Sequence, residues 1–403
     1  MPFLKKSLRI SLKITISLLL LILVAAIATS VSFIYSFDEP RAFEGPDIYN
    51  PYSNFDKSAG WKKANFHVHT RVEGILNECE YWPGEVYEFH KDFGYDIVTF
   101  SNHNELTVHP FDTALQVNVY EHGYNLFKFH KLVFGSRDVN RFDHLFPLLA
   151  SQKQFQIDLL RKDCDIIQFN HPLRTTGTSR KEMEKLEGYD IMELDCGKST
   201  ENEFWDWALS AGHYSFGLAN DDLHYPDRTN KFARRCNFIQ TPSGKWSDLK
   251  TALTDGCYYS MRIPDYGNGN WDIKREKNLN LPSITNIGMA DSIIYVTFSQ
   301  MADSIKFFGQ NHTTLAVLER CMHAIYTMQP EDNYARITAY FPGGEVIYTN
   351  PFARYDASKQ DTPFNEPTHK INIPLTITFN IMLLLLLATL SMFFFRYVIK
   401  QKP

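Results

Sequence analysis

Histidines and carboxylates recur at the ends of short apolar segments in the first half of the sequence. The first case is WKKANFHVHT, residues 61–70, in which one residue separates His67 from His69. The two side chains of an H-x-H pair on a strand project to the same side of the sheet. This spacing alone is as typical of an ordinary strand as of a metal site. The segments that follow therefore decide how the pair is interpreted.

Later apolar segments end in the same kinds of side chain. These are His103 in VTFSNHNEL, Asp138 and His144 in LVFGSRDVNRFDHLF, His171 in IIQFNHPLRTTG, Glu193 in YDIMEL, and Asp222 and His224 in GLANDDLHYPD. If the segments are parallel strands, their carboxyl ends meet on one face, where such folds build their sites. Imidazole and carboxylate ligands without cysteine suit zinc, manganese or iron. A carboxylate such as Asp138 could bridge two ions and leave an acidified water between them, an arrangement typical of phosphoester hydrolysis.

A repeated unit of helix, glycine and strand would position these ends. An amphipathic helix precedes a glycine and then a short apolar strand in EVYEFHKDFG-YDIVTF, KEMEKLEG-YDIMEL, TENEFWDWALSAG-HYSFGLA and WSDLKTALTDG-CYYSM. We expect the glycines to end the helices in a left-handed conformation; they are Gly94, Gly188, Gly212 and Gly256. Thr200 and Glu203 form a capping-box pattern for the third helix. The alternation predicts a parallel α/β sheet covered on both faces, either open or closed into a barrel.

The sequence changes character after about residue 266. Segments such as SIIYVTFS, ARITAYFPGG and EVIYTNPF are β-rich, with turn residues between them, and predict a small all-β addition. Residues 37–60 and 355–372 are polar and have no periodicity, as is typical of linkers. The predicted organisation is an N-terminal anchor at 1–36, a linker at 37–60, a metal-site domain at 61–265, a β-rich domain at 266–354, a linker at 355–372 and a C-terminal anchor at 373–396.

An uncharged apolar segment lies near each end of the chain. Residues 14–34 and 375–395 are each about long enough for a helix that crosses a bilayer. Basic residues flank the outer side of both segments: Lys5, Lys6, Arg9 and Lys13 before the first, and Arg396, Lys400 and Lys402 after the second. The positive-inside rule then predicts cytoplasmic termini and an extracytoplasmic (periplasmic or outside) domain between them. The alternatives are a cleaved signal peptide, with Ala26-Ile27-Ala28 as the cleavage site, and a buried core helix for the second segment.

Charge and cysteine spacing exclude some classes of protein. A formal net charge of -5 over 403 residues gives no overall basic field for binding a phosphate backbone, and nothing indicates sequence-specific nucleic-acid recognition. The six cysteines include no C-x-x-C pair, which excludes a zinc-ribbon type of site. Disulfide pairing stays open, since buried thiols fit the same spacing.

The ordered motifs HVHT, SNHN, NHP and D-L-H resemble those of the PHP (polymerase and histidinol phosphatase) family of metal-dependent phosphoesterases over about residues 62–262. The resemblance implies a distorted (β/α)7 TIM-like barrel with two or three Mn, Zn or Fe ions at the carboxyl ends of the strands. The segment YARITAYFPGGEVIYTNPF is similar to an extension that follows the barrel in some members.

Carried over by position, the resemblance implies a ligand set for each ion. The first ion would be held by His67, His69, Asp138 and Asp222, the second by Asp138, His144 and His171, and the third by His103, His224 and an acidic residue of RVEGILNECE. That segment offers Glu73, Glu78 or Glu80, and Glu73 is nearest to the expected place. Asn65 and Asn102 stand where the family commonly has aspartate. The remaining histidines fit no position of the pattern; they are His90, His109, His122, His130, His213, His312, His323 and His369.

The predicted catalytic residues are Asp138, His171 and Arg174. Arg174 and Arg228 are candidate ligands of a substrate phosphate, with a solvated loop arginine as the alternative for each. The sequence thus predicts a membrane-anchored hydrolase that acts on a phosphorylated small molecule or a phosphodiester. The alternative is a non-catalytic module of the same fold that binds a metal or another ligand at the membrane surface.

Overall fold

The computed structural model describes residues 2–73, 77–196 and 202–396. Within these ranges the α-helices are α1 (Pro2–Ala28), α2 (Pro83–Lys91), α3 (Ala150–Arg161), α4 (Arg180–Met183), α5 (Glu203–Ser210), α6 (Trp246–Asp255), α7 (Trp271–Leu279) and α8 (Ile373–Phe394). The strands that build the site are β3 (Lys62–Asn65), β4 (Ile97–Val98), β5 (Val119–His122), β6 (Lys131–Phe134), β7 (Ile166–Phe169), β8 (Ile191–Glu193) and β9 (Phe216–Leu218).

The other strands lie near the two ends of the chain and in its last third. They are β1 (Tyr35–Ser36), β2 (Asp47–Tyr49), β10 (Arg235–Ile239), β11 (Tyr258–Arg262), β12 (Ile284–Ala290), β13 (Ile293–Gly309), β14 (Thr313–Thr327), β15 (Tyr334–Tyr340), β16 (Val346–Thr349), β17 (Phe352–Tyr355) and β18 (Lys370–Ile371). The mixed α/β composition is confirmed. Strands dominate the chain after residue 266, but helix α7 also lies there, so the predicted addition is not all-β.

The glycines predicted to end helices all have the expected backbone. Gly94, Gly188, Gly212 and Gly256 have φ values between 72° and 87°, a conformation that costs glycine little. The predicted cap Thr200 lies outside the described residues. Helix α5 begins instead after Asn202, whose side-chain oxygen accepts a hydrogen bond of 2.8 Å from the Asp195 amide.

A five-stranded sheet in the order β5-β6-β7-β8-β9 carries half of the site. Strands β7, β8 and β9 are mutually parallel, whereas β6 is antiparallel to both β5 and β7. The prediction of a wholly parallel sheet is therefore wrong at β6. The connection between β5 and β6 is only residues 123–130, and a parallel crossover needs a dozen or more residues.

A larger sheet of 11 strands contains β3, β4 and β10 together with the β-rich final third. Strand β3 is parallel to β4 and antiparallel to β10, and β11 connects this part to β16. Single parallel bridges, Val68–Leu223 and His103–Glu121, link this sheet to the five-stranded one. A closed barrel is not confirmed in the described part of the chain, because these single bridges replace continuous strand pairing. The predicted domain boundary at 265/266 stays a prediction, and the sheet itself continues across it.

Both apolar helices are long and apolar enough to cross a membrane, by length and composition alone. The candidate spans are Ile10–Ala28 and Ile373–Phe394, and both are almost entirely exposed. The first span ends earlier than the sequence predicts, since helix α1 stops at Ala28 and β1 follows. Strand β1 pairs with β18, and Asn380 Nδ2 donates to the Ser32 carbonyl oxygen at 2.9 Å. The two helices therefore enter the body of the protein side by side.

Candidate metal centre

Strands from both sheets bring a group of buried imidazoles and carboxylates together. His67 and His69 follow β3, Glu121 lies on β5, and Asp222 follows β9. Their ligand atoms all lie within 4.8 Å of one another. The Asp222 Oδ1 atom is 3.3 Å from the Nε2 atoms of both histidines. Four ligand atoms this close together form a site of suitable size for one ion.

The Glu121 carboxylate, 1% exposed, lies between two groups of imidazoles. Its Oε2 atom is close to His67 Nε2 at 3.1 Å, His69 Nε2 at 3.2 Å and His103 Nε2 at 3.1 Å. Its Oε1 atom is close to His130 Nδ1 at 3.2 Å and His171 Nε2 at 3.1 Å. One oxygen thus faces each group, which is the arrangement expected of a carboxylate that bridges two ions.

The hydrogen bonds of His67 fit a metal ligand. Its Nδ1 atom lies 2.8 Å from Glu193 Oε1, so a proton on Nδ1 leaves the lone pair on Nε2 directed into the cluster. The Nε2 atoms of His67 and His69 are buried and make no hydrogen bond within the described residues, although carboxylate oxygens are near. Buried ring nitrogens without a hydrogen bond are costly unless another group, such as an ion, occupies the space between them.

Two further groups adjoin the first. His103, Glu121 and His130 form one, and His69, Glu78 and His103 form the other. Glu78 Oε2 is 3.2 Å from His103 Nε2 and 3.6 Å from His224 Nε2. The cluster therefore has enough ligands for more than one ion.

Electrostatic interactions keep the central carboxylates ionised. Burial opposes the charge of Glu121, but His103, His67 and His130 outweigh burial and hold the pKa of Glu121 well below its ordinary value. Burial also opposes the charge of Asp222, and His67 and nearby imidazoles hold its pKa well below the ordinary value. Burial lowers the pKa of His103 to about 4, so this imidazole is neutral at physiological pH. Divalent ions bind ionised carboxylates and neutral imidazoles. Burial opposes the charge of His67 and His69, but the surrounding carboxylates raise the pKa of His67 well above its ordinary value and that of His69 to about 9, so both imidazoles would lose a proton on binding an ion.

The structure places some predicted residues in the cluster and others apart from it. The predicted residues that it brings together are His67, His69, His103, His171, Asp222 and His224. Three do not take the predicted places. Asp138 is exposed and accepts a hydrogen bond from the Val139 amide at 2.7 Å, and His144 packs its Nδ1 atom against the Thr29 carbonyl oxygen. Glu73 is exposed at the rim, where Glu78 makes the imidazole contacts.

The direction of β6 explains the first difference. Because β6 is antiparallel to β7, the turn after β6 lies beside the residues that precede β7. Arg137 in this turn pairs with Asp163 at 2.6 Å, and Asp163 lies at the amino end of β7. The site is at the carboxyl end of β7, where His171 follows the strand. Asp138 is therefore at the opposite end of the sheet from the cluster.

Glu121 and His130 are the ligands that sequence reasoning missed, whereas Glu78 was one of the three glutamates it offered for the third ion, with Glu73 preferred. Glu121 is the last residue but one of the segment VNVYEH, and His130 directly precedes the apolar segment KLVF. The short segment between them contains Gly123 and Asn125, a typical hairpin signal. Asn125 closes this turn by accepting a hydrogen bond from the Phe129 amide at 2.8 Å. Identifying the hairpin would have pointed to both residues.

The two asparagines at common aspartate positions have structural contacts. Asn65 Nδ2 donates to Asp221 at 3.1 Å. The Asn102 side chain accepts from the Thr70 amide at 2.8 Å and donates to the hydroxyls of Thr70 and Thr107 at 2.7 Å. Both side chains support the loops around the cluster and remove none of the imidazole or carboxylate groups described above.

Two cavities open beside the cluster. One of about 660 Å³ is lined by Asp222 and His224 together with the cationic residues Arg174, Lys231, Arg234, Arg235 and Arg262. Arg174 forms an ion pair with Asp222. Arg228 is exposed and lies over the Tyr225 ring at 4.0 Å. The other cavity, about 640 Å³, is lined by His69, Glu73, Glu78, His103, Tyr124 and Arg141, among others.

All six cysteines lie within the described residues, and none forms a disulfide. Burial raises the pKa of the Cys236 and Cys257 thiols to about 12, so both are protonated at physiological pH. The candidate metal groups accordingly contain imidazole and carboxylate ligands, as the sequence predicts.

No protein-family model matches the sequence, and no curated protein matches it. Two solved structures are similar. One is a two-domain protein containing a predicted PHP-like metal-dependent phosphoesterase from Bacteroides vulgatus, with 15% identity, a TM-score of 0.37, and coverage of 78% of this chain and 100% of that one. The other is a lesion-specific endonuclease from Pyrococcus furiosus, with 17% identity, a TM-score of 0.33, and coverage of 48% and 56%. Because both similarities are low, function is inferred from the geometry of the cluster.

Proposed function

We propose that the chain is a metal-dependent phosphoesterase of the PHP type, anchored in a membrane by α1 and α8. The observation that carries the proposal is the position of Glu121 between two groups of imidazoles, one facing each carboxylate oxygen. A buried carboxylate shared in this way suits a pair of divalent ions better than a single ion.

The ligand sets follow from the contacts around Glu121. One ion would be held by His67, His69, Glu121 and Asp222. A second would be held by Glu121, His130 and His171. A third would lie among Glu78, His103 and His224. Their imidazole and carboxylate composition fits Mn, Zn or Fe.

The chain's own residues give the site its chemistry. The bound ions would supply Lewis acidity and a water molecule acidified toward neutral pH. Glu193 orients His67 through Nδ1 and accepts a hydrogen bond of 2.7 Å from the His171 amide, so one carboxylate positions ligands from both groups. Arg174 lies at the rim beside Asp222, where its guanidinium can neutralise charge that develops on a phosphoryl oxygen. These roles require no proton transfer by Asp138, which lies elsewhere.

The adjacent cavity supports a phosphate ester over an uncharged ester or amide. Arg174, Lys231 and Arg234 line it next to Asp222. Guanidinium groups bind phosphate oxygens through paired hydrogen bonds. A cavity with several cations beside a metal cluster is suited to an anionic substrate. Arg228 packs on Tyr225 at the surface and is therefore less suitable as a ligand of the substrate.

Metal analysis with a hydrolysis assay tests the proposal. The full chain is purified in detergent without chelator, its bound metals are counted, and hydrolysis of p-nitrophenyl phosphate and bis(p-nitrophenyl) phosphate is followed with added manganese. We expect more than about one transition metal ion per chain and manganese-stimulated turnover. The His67→Ala variant should lose both. Less metal than this together with no turnover would exclude the catalytic function.

The anchoring has a separate test. The proposal puts both termini in the cytoplasm and the metal centre on the other side of the membrane. A reporter fused after Pro403 should be active only in the cytoplasm. Activity of the fusion on the opposite side of the membrane would overturn this topology.

A further inference from the structure

The end of helix α1 is attached to a loop that adjoins the metal cluster. The Thr29 carbonyl oxygen contacts His144 Nδ1, and the Leu145 amide donates to Thr29 Oγ1 at 3.2 Å. At the next residue, the Gln152 side chain donates to the Ser30 carbonyl oxygen at 3.2 Å. The two residues that directly follow the candidate membrane span are thus bonded to residues 144–152.

The same loop contacts residues next to the ligands. His122, adjacent to the ligand Glu121, has its Nε2 atom 2.8 Å from the Phe142 carbonyl oxygen. The Tyr124 amide donates to Asp143 at 2.8 Å, and the Tyr124 hydroxyl donates to the His103 carbonyl oxygen at 3.1 Å. Only a few side chains therefore separate the end of α1 from the cluster, so a bilayer crossed by α1 would lie close to the site.

Large apolar side chains are exposed on this side of the molecule. We call Leu126, Phe142, Leu148 and Leu149 the apolar rim; they are between 37% and 67% exposed. The Leu126 amide donates to the Leu145 carbonyl oxygen at 3.2 Å, which places Leu126 beside the loop that holds α1. Val31 and Phe33, directly after α1, are also exposed and connect the rim to the apolar helix. Exposed apolar groups of this size mark a membrane or protein interface, and continuity with α1 favours the membrane.

A cavity lies between the ligands and the two loops that carry the apolar rim. Tyr124 and Arg141, from the two loops that carry the rim, line the 640 Å³ cavity together with His69, Glu78 and His103. An aromatic ring and a cation at the boundary of a bilayer are well suited to a phosphate headgroup. A tyrosine ring is stable at the interface between lipid and water, and a guanidinium binds phosphate. The cavity therefore has its one arginine on the side of the loops that carry the apolar rim.

We propose that the substrate is a phosphate ester carried by a membrane lipid, which reaches the metal cluster from the bilayer past Tyr124 and Arg141. This inference rests on the proposed phosphoesterase function and names its substrate class. In the reaction, a water oxygen forms a bond to phosphorus and the ester P–O bond of the lipid breaks. The alcohol oxygen that leaves takes the proton released by the water, so no further reactant is needed.

The test compares lipid and soluble substrates with one enzyme preparation. The full chain, loaded with manganese and with its metal content measured, is reconstituted into phosphatidylcholine vesicles that contain phosphatidic acid or phosphatidylglycerol. Release of phosphate or of the water-soluble headgroup is measured beside hydrolysis of the two p-nitrophenyl esters. We expect release from a lipid. In the triple variant Leu126→Ser, Leu148→Ser, Leu149→Ser, this release should fall at least about tenfold while hydrolysis of the soluble esters is unchanged.

The matched control changes three exposed apolar side chains elsewhere. Ile293→Ser, Val317→Ser and Ile325→Ser alter β13 and β14, and this variant should retain full activity on both kinds of substrate. Hydrolysis of soluble esters without release from any lipid would overturn the lipid substrate and leave the phosphoesterase function standing. Absence of turnover on every substrate, with metal bound, would overturn both. Equal lipid hydrolysis by the two triple variants would overturn the role of the apolar rim.

Discussion

The two halves of the five-stranded sheet deliver ligands by different rules. In the parallel half, β7 to β9, the site residues His171, Glu193 and Asp222 stand at or after the carboxyl ends of their strands. In the antiparallel hairpin of β5 and β6, the ligands Glu121 and His130 lie at the end of one strand and before the start of the next. A residue's place relative to its strand therefore locates it at the site only when the direction of that strand is known.

The sharpest test of this comparison replaces, in separate variants, the carboxylates that lie at opposite ends of the hairpin. Glu121→Gln removes the carboxylate that both groups of imidazoles face, so we expect loss of bound metal. The fall in kcat/KM should exceed about 100-fold, which is the upper limit typical of losing a residue that only supports a metal ligand. Metal counting and the bis(p-nitrophenyl) phosphate assay measure both effects.

Asp138→Asn is the control for this variant. Asp138 is exposed beyond the other end of β6, so metal content and kcat/KM should stay at the level of the unmodified protein. A large loss in Asp138→Asn, with Glu121→Gln active, would show that β6 carries its ligand at its carboxyl end after all.

The histidines of the hairpin region give the next effect in size. His130→Ala should remove one ligand of the second ion, lower the metal content, and reduce kcat/KM by about 10–100-fold. His144→Ala should leave the metal content unchanged but lower the free energy of unfolding by about 1–3 kcal/mol, because it removes the buried contact to the Thr29 carbonyl oxygen. Metal analysis separates the two variants. If His144→Ala lost metal and His130→Ala did not, the assignment of the second site would be wrong.

These differences show which parts of the site the sequence could predict. The ligands after β3, β7 and β9 were found because a strand end followed by histidine or aspartate is visible without knowing more of the fold. The residues of β6 are all buried and do not alternate, so this segment carries no information about which of its ends meets the site. The length of the connection does carry that information, since residues 123–130 are too few for a parallel crossover. Contacts made across loops, such as that of Glu78 with His103, have no periodic signal at all.

The parallel half offers a test of positioning. Glu193 holds His67 Nδ1 and the His171 amide, so Glu193→Gln should weaken metal affinity by about 10–100-fold while saturating metal restores much of kcat. Asp190→Asn is the control from the amino end of the same strand, where Asp190 accepts from the Ile167 amide at 2.7 Å. It should lower thermal stability without changing metal affinity. A purely structural role for Glu193 would give the same result as Asp190→Asn.

The smallest expected effect concerns ligands on a loop, where neither strand rule applies. Glu78 and Glu73 line the same cavity, but only Glu78 Oε2 approaches the imidazoles of His69, His103 and His224, at 3.2 to 3.6 Å. Glu78→Gln should weaken the third ion and lower kcat/KM about tenfold, since the four ligands around Glu121 and Asp222 stay intact. Glu73→Gln should change neither quantity. Titration of the metal-free protein with manganese measures the number of ions bound by each variant. Loss of an ion in Glu73→Gln alone would mean that the loop turns its other glutamate inward when the metal is present, and that spacing from HVHT had selected the correct residue.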